Sequence, residues 1–238
     1  MSSIKGVVVG LVKSLDDPKK LGRIEVHFPW LSENNNSYWA RIATLMSGSG
    51  RGSWFMPEVD DEVLVAFEHG DSQHPYIIGF LWNGVDKPPN EDIDTKVRRL
   101  KTVSGHTLEF DDRQGQERIY IKSQGGHELE IKDTPGSITI KTSGNQTVKL
   151  EDTPAGITIG TSAGNEIKIS DAPPGITIST QAGTLTVNCL QANINASAML
   201  NISAPITVFS GVVQVPTLIA QAVVGAAYTP APGNTFGL

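Results

Sequence analysis

The 238-residue chain is poor in several things, and each shortage excludes something. Its single cysteine, Cys189, leaves no partner for an intrachain disulfide and no set of thiolates for a zinc site within one chain. Aromatic residues make up 6% and charged residues 18%, against about 25–35% charge on an ordinary globular surface. Basic side chains are outnumbered, 19 to 25, for a net charge of −6; a nucleic-acid binder that works by neutralising phosphates is therefore not expected. The longest apolar run, residues 212–227, is 16 residues long and broken by Gln214, Pro216 and Gln221, short of the roughly 20 that a membrane-spanning helix needs. No basic start leads into an apolar stretch at the first residues, so the sequence predicts no signal peptide and synthesis in the cytoplasm.

The sharpest shortage is local. Residues 172–238, 67 in all, carry no charged side chain, whereas 1–104 hold 12 basic and 14 acidic residues and 105–171 hold 7 and 11. Such a tail is not an ordinary solvated domain. Leu, Ile and Val recur through it, which also argues against disorder, and self-assembly is the reading that remains.

What is present ahead of the tail is a repeat. Four units line up as Gly105-His-Thr-Leu-Glu-Phe-Asp-Asp, Gly126-His-Glu-Leu-Glu-Ile-Lys-Asp, Asn145-Gln-Thr-Val-Lys-Leu-Glu-Asp and Asn165-Glu-Ile-Lys-Ile-Ser-Asp, ending at Asp112, Asp133, Asp152 and Asp171 with spacings of 21, 19 and 19. Each unit passes through a turn such as Thr134-Pro-Gly into a second run starting at Ile119, Ile138, Ile157 or Ile176. Strict alternation of apolar and polar residues is the period of a strand with one buried face. The Asp-Thr-Pro-Gly segments predict turns in which Pro presets φ and Gly supplies a positive φ. No helical pattern in 105–238 is available to cover the apolar faces, so neighbouring copies must. A single-chain solenoid with a coil of about 19 residues is the competing reading. Beyond Cys189 the alternation changes phase, and Leu190, Ala192, Ile194, Ala196, Ala198, Leu200 and Ile202 become the inward candidates of a narrower core.

The opening ninety residues read as five strands near 6–12, 22–28, 38–43, 62–67 and 76–81, separated by loop compositions. Five strands in about 80 residues suit an OB-type barrel. Within this segment stand Asp17-Pro, Gly22-Arg-Ile-Glu-Val-His-Phe-Pro-Trp30, Trp39-Ala-Arg41, Gly50-Arg-Gly-Ser-Trp-Phe-Met-Pro-Glu58, Asp61-Glu-Val-Leu-Val-Ala-Phe-Glu-His-Gly-Asp71 and Pro75-Tyr-Ile-Ile-Gly-Phe-Leu-Trp-Asn-Gly84. This ordered set resembles the spike proteins of contractile injection machines, which include VgrG proteins and baseplate assembly protein V of contractile-tailed phages.

The resemblance implies an all-β chain: an N-terminal OB-fold barrel (1–89), a connector (90–104), a trimeric intertwined β-helix or β-prism needle (105–183) and an uncharged tapering tip (184–238). It implies a non-enzymatic central spike, assembled into the baseplate of a phage tail or tail-like particle, which docks on a hub and punctures the target envelope. The larger relatives carry a hub domain before the barrel. This sequence starts within a few residues of the barrel, so a separate hub protein is expected at the OB end. A PAAR-like tip protein is expected at the other end, where Tyr228, Pro230, Pro232, Phe236 and Leu238 are the candidate contacts. The five histidines lie far upstream of the C-terminus, so no histidine-bound metal apex is expected, nor any cofactor.

The inward candidates for the trimer core are Leu129, Ile131, Ile138, Ile140, Val148, Leu150, Ile157, Ile159, Ile167, Ile169, Ile176 and Ile178. Other candidates carry blander readings. His69-Gly-Asp71-Ser-Gln-His74 reads as a hairpin loop rather than a metal cluster, and Asp60-Asp61-Glu62 as a solvated turn rather than a catalytic pair. The aromatics Phe28, Trp30, Trp39, Trp54, Phe55, Phe67, Tyr76, Phe80 and Trp82 read as core and subunit interface rather than a base-stacking platform. The rival functions are an OB-fold single-stranded nucleic-acid-binding protein and a spike-fused envelope hydrolase.

Overall fold

The computed structural model describes residues 4–30, 36–89, 94–222 and 225. Its first sheet comes from the alternating segments of the N-terminal part. The strands are β1 (Val7–Ser14), β2 (Glu25–His27), β3 (Arg41–Ile42), β6 (Glu62–Phe67) and β7 (Pro75–Phe80), and β4 (Ser47–Gly48) with β5 (Arg51–Gly52) forms a small separate hairpin. The sheet order is β2-β1-β6-β7-β3, antiparallel except for the parallel β3–β7 pair. Ile24 and Ala40 exchange backbone hydrogen bonds at 3.0 and 2.7 Å, joining the two edges and curling the sheet into a barrel of OB type. Every second residue then points inward. Val12, Ile24, Val26, Ala40, Val63, Val65 and Ile77 are essentially inaccessible, with Phe28 and Phe67 beside them. Fully burying an aliphatic side chain of this kind is worth about 1.5–3 kcal/mol. At Gly10, where β1 crosses β2, a Cβ would lie 2.3 Å from Val26 Cγ1; only glycine allows that approach.

The second sheet is a nine-stranded antiparallel meander: β8 (Val97–Lys101), β9 (Thr107–Asp111), β10 (Arg118–Lys122), β11 (Glu128–Lys132), β12 (Ser137–Lys141), β13 (Thr147–Asp152), β14 (Ala155–Gly160), β15 (Glu166–Asp171) and β16 (Pro174–Ser179). Each strand pairs with its neighbours in sequence. That pattern overturns the solenoid reading, because short turns fold every strand back on its predecessor. The sheet also starts earlier than the repeat: β8 lies inside the segment 90–104 read as a connector.

Two kinds of turn alternate. At Thr102–His106, Ser123–His127, Thr142–Gln146 and Thr161–Asn165, the leading hydroxyl accepts a hydrogen bond from the backbone N–H four residues on, at 3.0–3.2 Å. The fourth residue of each has a positive φ: Gly105, Gly126, Asn145 and Gly164. Of the intervening turns, the three with proline contain cis peptide bonds at Thr134–Pro135, Thr153–Pro154 and Ala172–Pro173, and the one between β9 and β10 has Gly115 at φ +76°. Positive φ thus sits in the hydroxyl-led turns and not at the glycines that follow the prolines, which corrects the expectation for Asp-Thr-Pro-Gly. Two of the three, Gly136 and Gly156, stand close to a neighbouring strand instead, while Gly175 has open space around it. A Cβ on Gly136 would stand 2.1 Å from Asp152 Oδ2, and one on Gly156 would stand 2.6 Å from the Ile169 carbonyl.

From Thr186 the chain forms a second unit. Its described residues contain no strand or helix, and all are exposed. Cys189 is exposed with them, as are Leu185 and Val187, its neighbours in the alternation.

Candidate functional site

Antiparallel pairing places the repeat's apolar residues in two rows across one face of the nine-stranded sheet. One row runs Phe110, Ile119, Ile131, Ile138, Leu150, Ile157, Ile169, Ile176, and the other Leu108, Ile121, Leu129, Ile140, Val148, Ile159, Ile167, Ile178. All twelve residues named as trimer-core candidates lie in these rows. The described residues leave them largely uncovered: Ile138, Ile140, Leu150, Ile157, Ile159, Ile167, Ile169, Ile176 and Ile178 are exposed, Ile176 to 72%, and Leu129, Ile131 and Val148 are half-buried. The opposite face bears most of the strands' charges, including the pairs Lys122–Glu128 at 3.2 Å and Lys149–Glu151 at 2.6 Å. A continuous exposed apolar face of this extent marks an interaction surface.

The polar face begins with a charge network that sequence reading missed. Glu109 and Asp111, on the same side of β9, are 3% and 2% exposed. Glu109 accepts from Arg99 Nε at 2.7 Å and from Arg118 Nη2 at 2.9 Å; Arg118 also reaches Glu130 at 3.0 Å. Asp111 accepts two bonds from the Arg113 guanidinium, at 2.8 and 2.5 Å, which hold its carboxyl down to about 2 despite burial. Arg99 donates further to the Pro89 carbonyl at 2.7 Å, tying the first strand of the sheet to the chain leaving the barrel. The available signal was the clustering of Arg99, Arg113 and Arg118 around Glu109 and Asp111 in a chain short of charge.

In the barrel, the Asp17-Pro and Gly22-Arg motifs form one unit. The Asp17 carboxylate accepts backbone N–H groups of Lys19 and Leu21 at 3.0 and 2.8 Å and two bonds from Arg23 at 3.0 and 2.5 Å. The Arg23 guanidinium holds its pKa well below the carboxylate range. Gly22, at φ +71°, lies under the Trp54 ring, which a Cβ would approach to 2.6 Å. The aromatics divide: Phe28 and Phe67 are core, Trp39 and Tyr76 are half-buried, and Trp30, Trp54, Phe55, Phe80 and Trp82 are exposed.

The 69–74 segment joins β6 to β7, with Asp71 Oδ2 3.0 Å from His74 Nδ1. Beside it the Tyr76 hydroxyl donates to Glu68 at 2.6 Å; that bond lowers the carboxyl pKa and raises the phenol's. Among the described residues no three His, Cys, Asp or Glu side chains stand together as a metal site. The tip candidates Tyr228, Pro230, Pro232, Phe236 and Leu238 lie outside the described residues.

Two family models match. One describes the type VI secretion system/phage-baseplate injector OB domain and covers residues 8–82; the other describes the phage baseplate V C-terminal trimerisation domain and covers residues 137–200. The chain carries both of these baseplate domains, and its homologues are VgrG spike proteins. Among curated relatives, the type VI secretion system spike protein VgrG3 of Vibrio cholerae is 34% identical over 113 residues, covering 43% of this chain and 11% of that protein. The actin cross-linking toxin VgrG1 of the same species is also 34% identical over 113 residues, covering 43% and 10%. Spike protein VgrG1c of Pseudomonas aeruginosa is 29% identical over 125 residues, covering 47% and 17%. The matched stretch is thus between a tenth and a fifth of these spike-family relatives.

Proposed function

We propose that the chain is the structural, non-enzymatic central spike of a contractile injection machine, acting as a homotrimer within a baseplate. One observation carries this reading: an apolar sheet face, two rows wide, that the described residues leave largely uncovered, in a segment overlapping the family's trimerisation domain. Three copies would put these faces together on a common axis and bury Ile138, Ile157, Ile176 and their row neighbours. Burial of this kind is the dominant favourable term in association.

In the proposed assembly, the barrel end (1–89) docks on a separate hub protein. The uncharged tail (184–238) forms the tapering tip, its strands completed between chains, and residues 228–238 receive a PAAR-like cap. The action is mechanical: force from a sheath is concentrated on a narrow end that crosses the target envelope. Resistance to unfolding under load is set by the unfolding barrier rather than by equilibrium stability, and interlocked strands raise that barrier. Light scattering of the full chain tests the reading. A mass three times the 25.5 kDa of one chain is expected, and a monomer would overturn it.

A further inference from the structure

We infer that the barrel carries a second intermolecular contact, a charge-polarised aromatic surface on which the next copy of this chain docks head to tail. Phe55, Met56 and Phe80 separate two hollows and belong to both. The larger, about 970 Å³, has Trp54 in its wall, and its only charged lining residues are Arg41 and Arg51. The smaller, about 420 Å³, has Trp82 in its wall and is lined by Asp61, Glu62 and Asp86 against one cation, Lys87. A ridge of exposed aromatics therefore has a basic flank on one side and an acidic flank on the other.

Two observations choose the occupant. Arg51, Asp61, Glu62 and Asp86 have no ion-pair partner among the described residues, so both flanks offer unmatched charge. A partner of one sign would satisfy one flank only, whereas in a ring of copies the basic flank of each meets the acidic flank of the next and both are matched. Head-to-tail contacts of this type close into a ring when the rotation fits, and the inference rests on the trimeric reading for its three copies. Trp and Arg are also the side chains that most often dominate the energy of such contacts.

The test is hydroxyl-radical footprinting of the purified full chain with no other protein present. In the single chain Trp54 and Trp82 are 72% and 68% exposed, more than Trp30 at 50%, and Trp30 lines neither hollow. Docking inverts that order: in the native trimer, Trp54 and Trp82 should be oxidised about threefold less than Trp30, as expected for the dry centre of an interface. Arg51→Glu alone or Asp86→Arg alone should restore their oxidation, and the two combined should lower it again. A trimer in which Trp54 and Trp82 react as fast as Trp30 overturns the inference while leaving the trimer standing. A monomer by light scattering overturns the trimer reading itself, and the inference with it. The comparison of tryptophans within the native chain needs no variant to fold.

Discussion

In the barrel, β6 sends Val63, Val65 and Phe67 into a core that the same chain closes over them. In the meander, β14 sends Ile157 and Ile159 to a face that the described residues leave exposed. Both strands have the same alternation, so the pattern states that one face must be buried and leaves open by what. Closure decides that. The barrel joins its own edges through Ile24 and Ala40, whereas every turn of the meander returns the chain to the same succession of hairpins, and among the described residues no helix follows it.

The contrast is broken most severely at Ile157. An aspartate there would bring three carboxylates to the proposed axis, and each unpaired buried charge costs several kcal/mol. Ile157→Asp should therefore abolish the trimer while leaving the barrel folded. Size-exclusion with light scattering and the barrel's near-UV dichroism would check both halves, and a native-like trimer would show that this face stays wet. The matching change in the barrel is Ile77→Ala. Truncation of a fully buried aliphatic residue costs about 2–5 kcal/mol, so thermal unfolding of the barrel should move down with the trimer mass unchanged. Loss of the trimer from this variant would mean that barrel and sheet do not separate as argued.

A smaller effect, in the sheet, depends on pH. Arg113 holds the Asp111 carboxyl at about 2, below its ordinary value of 3.8. The folded value is the lower one, so this carboxylate's contribution to stability is complete above about pH 4 and is lost as pH falls towards 2. Asp111→Asn should remove that part of the acid-side slope and lower the melting temperature at neutral pH. The check is a series of thermal melts from pH 7 to pH 2; parallel profiles for variant and native chain would refute the assignment.

Legibility followed the length scale of the signal. The five barrel strands, the β repeat and the residues of the apolar face were readable because each rests on local alternation or on short motifs. The Asp17–Arg23 unit was visible as two motifs whose connection needed the fold, since its partners are six residues apart and meet across a turn. The Glu109–Asp111 network showed in the sequence only as clustered charge, without its pairing: Arg99 and Arg118 reach Glu109 from different strands, and strand order had to be known first. The proline turns misled because Pro followed by Gly suggests positive φ, while here those glycines have ordinary φ and only Gly156 is crowded by backbone, the Ile169 carbonyl of the next strand.

The smallest predicted effect tests whether the positive-φ turns are equivalent along the sheet. Gly105, Gly126 and Gly164 have φ of +97°, +83° and +81°, and Asn145 holds the corresponding place at +60°. Successive turns are also linked. The N–H of Gln124 donates to His106 Nδ1 at 3.2 Å and that of Ser162 to Gln146 Oε1 at 3.2 Å, so a distortion at one turn is felt at the next. Asparagine tolerates the left-handed region better than other residues with a Cβ, whereas alanine meets its penalty of roughly 1–2 kcal/mol. Asn145→Ala should accordingly lower stability by about 1 kcal/mol, and Asn145→Gly should leave it unchanged or slightly raised. Denaturant midpoints of the two variants measure this directly. Equal loss in both would mean that the Asn145 side chain, rather than its backbone conformation, holds the turn, and the four turns would not be interchangeable.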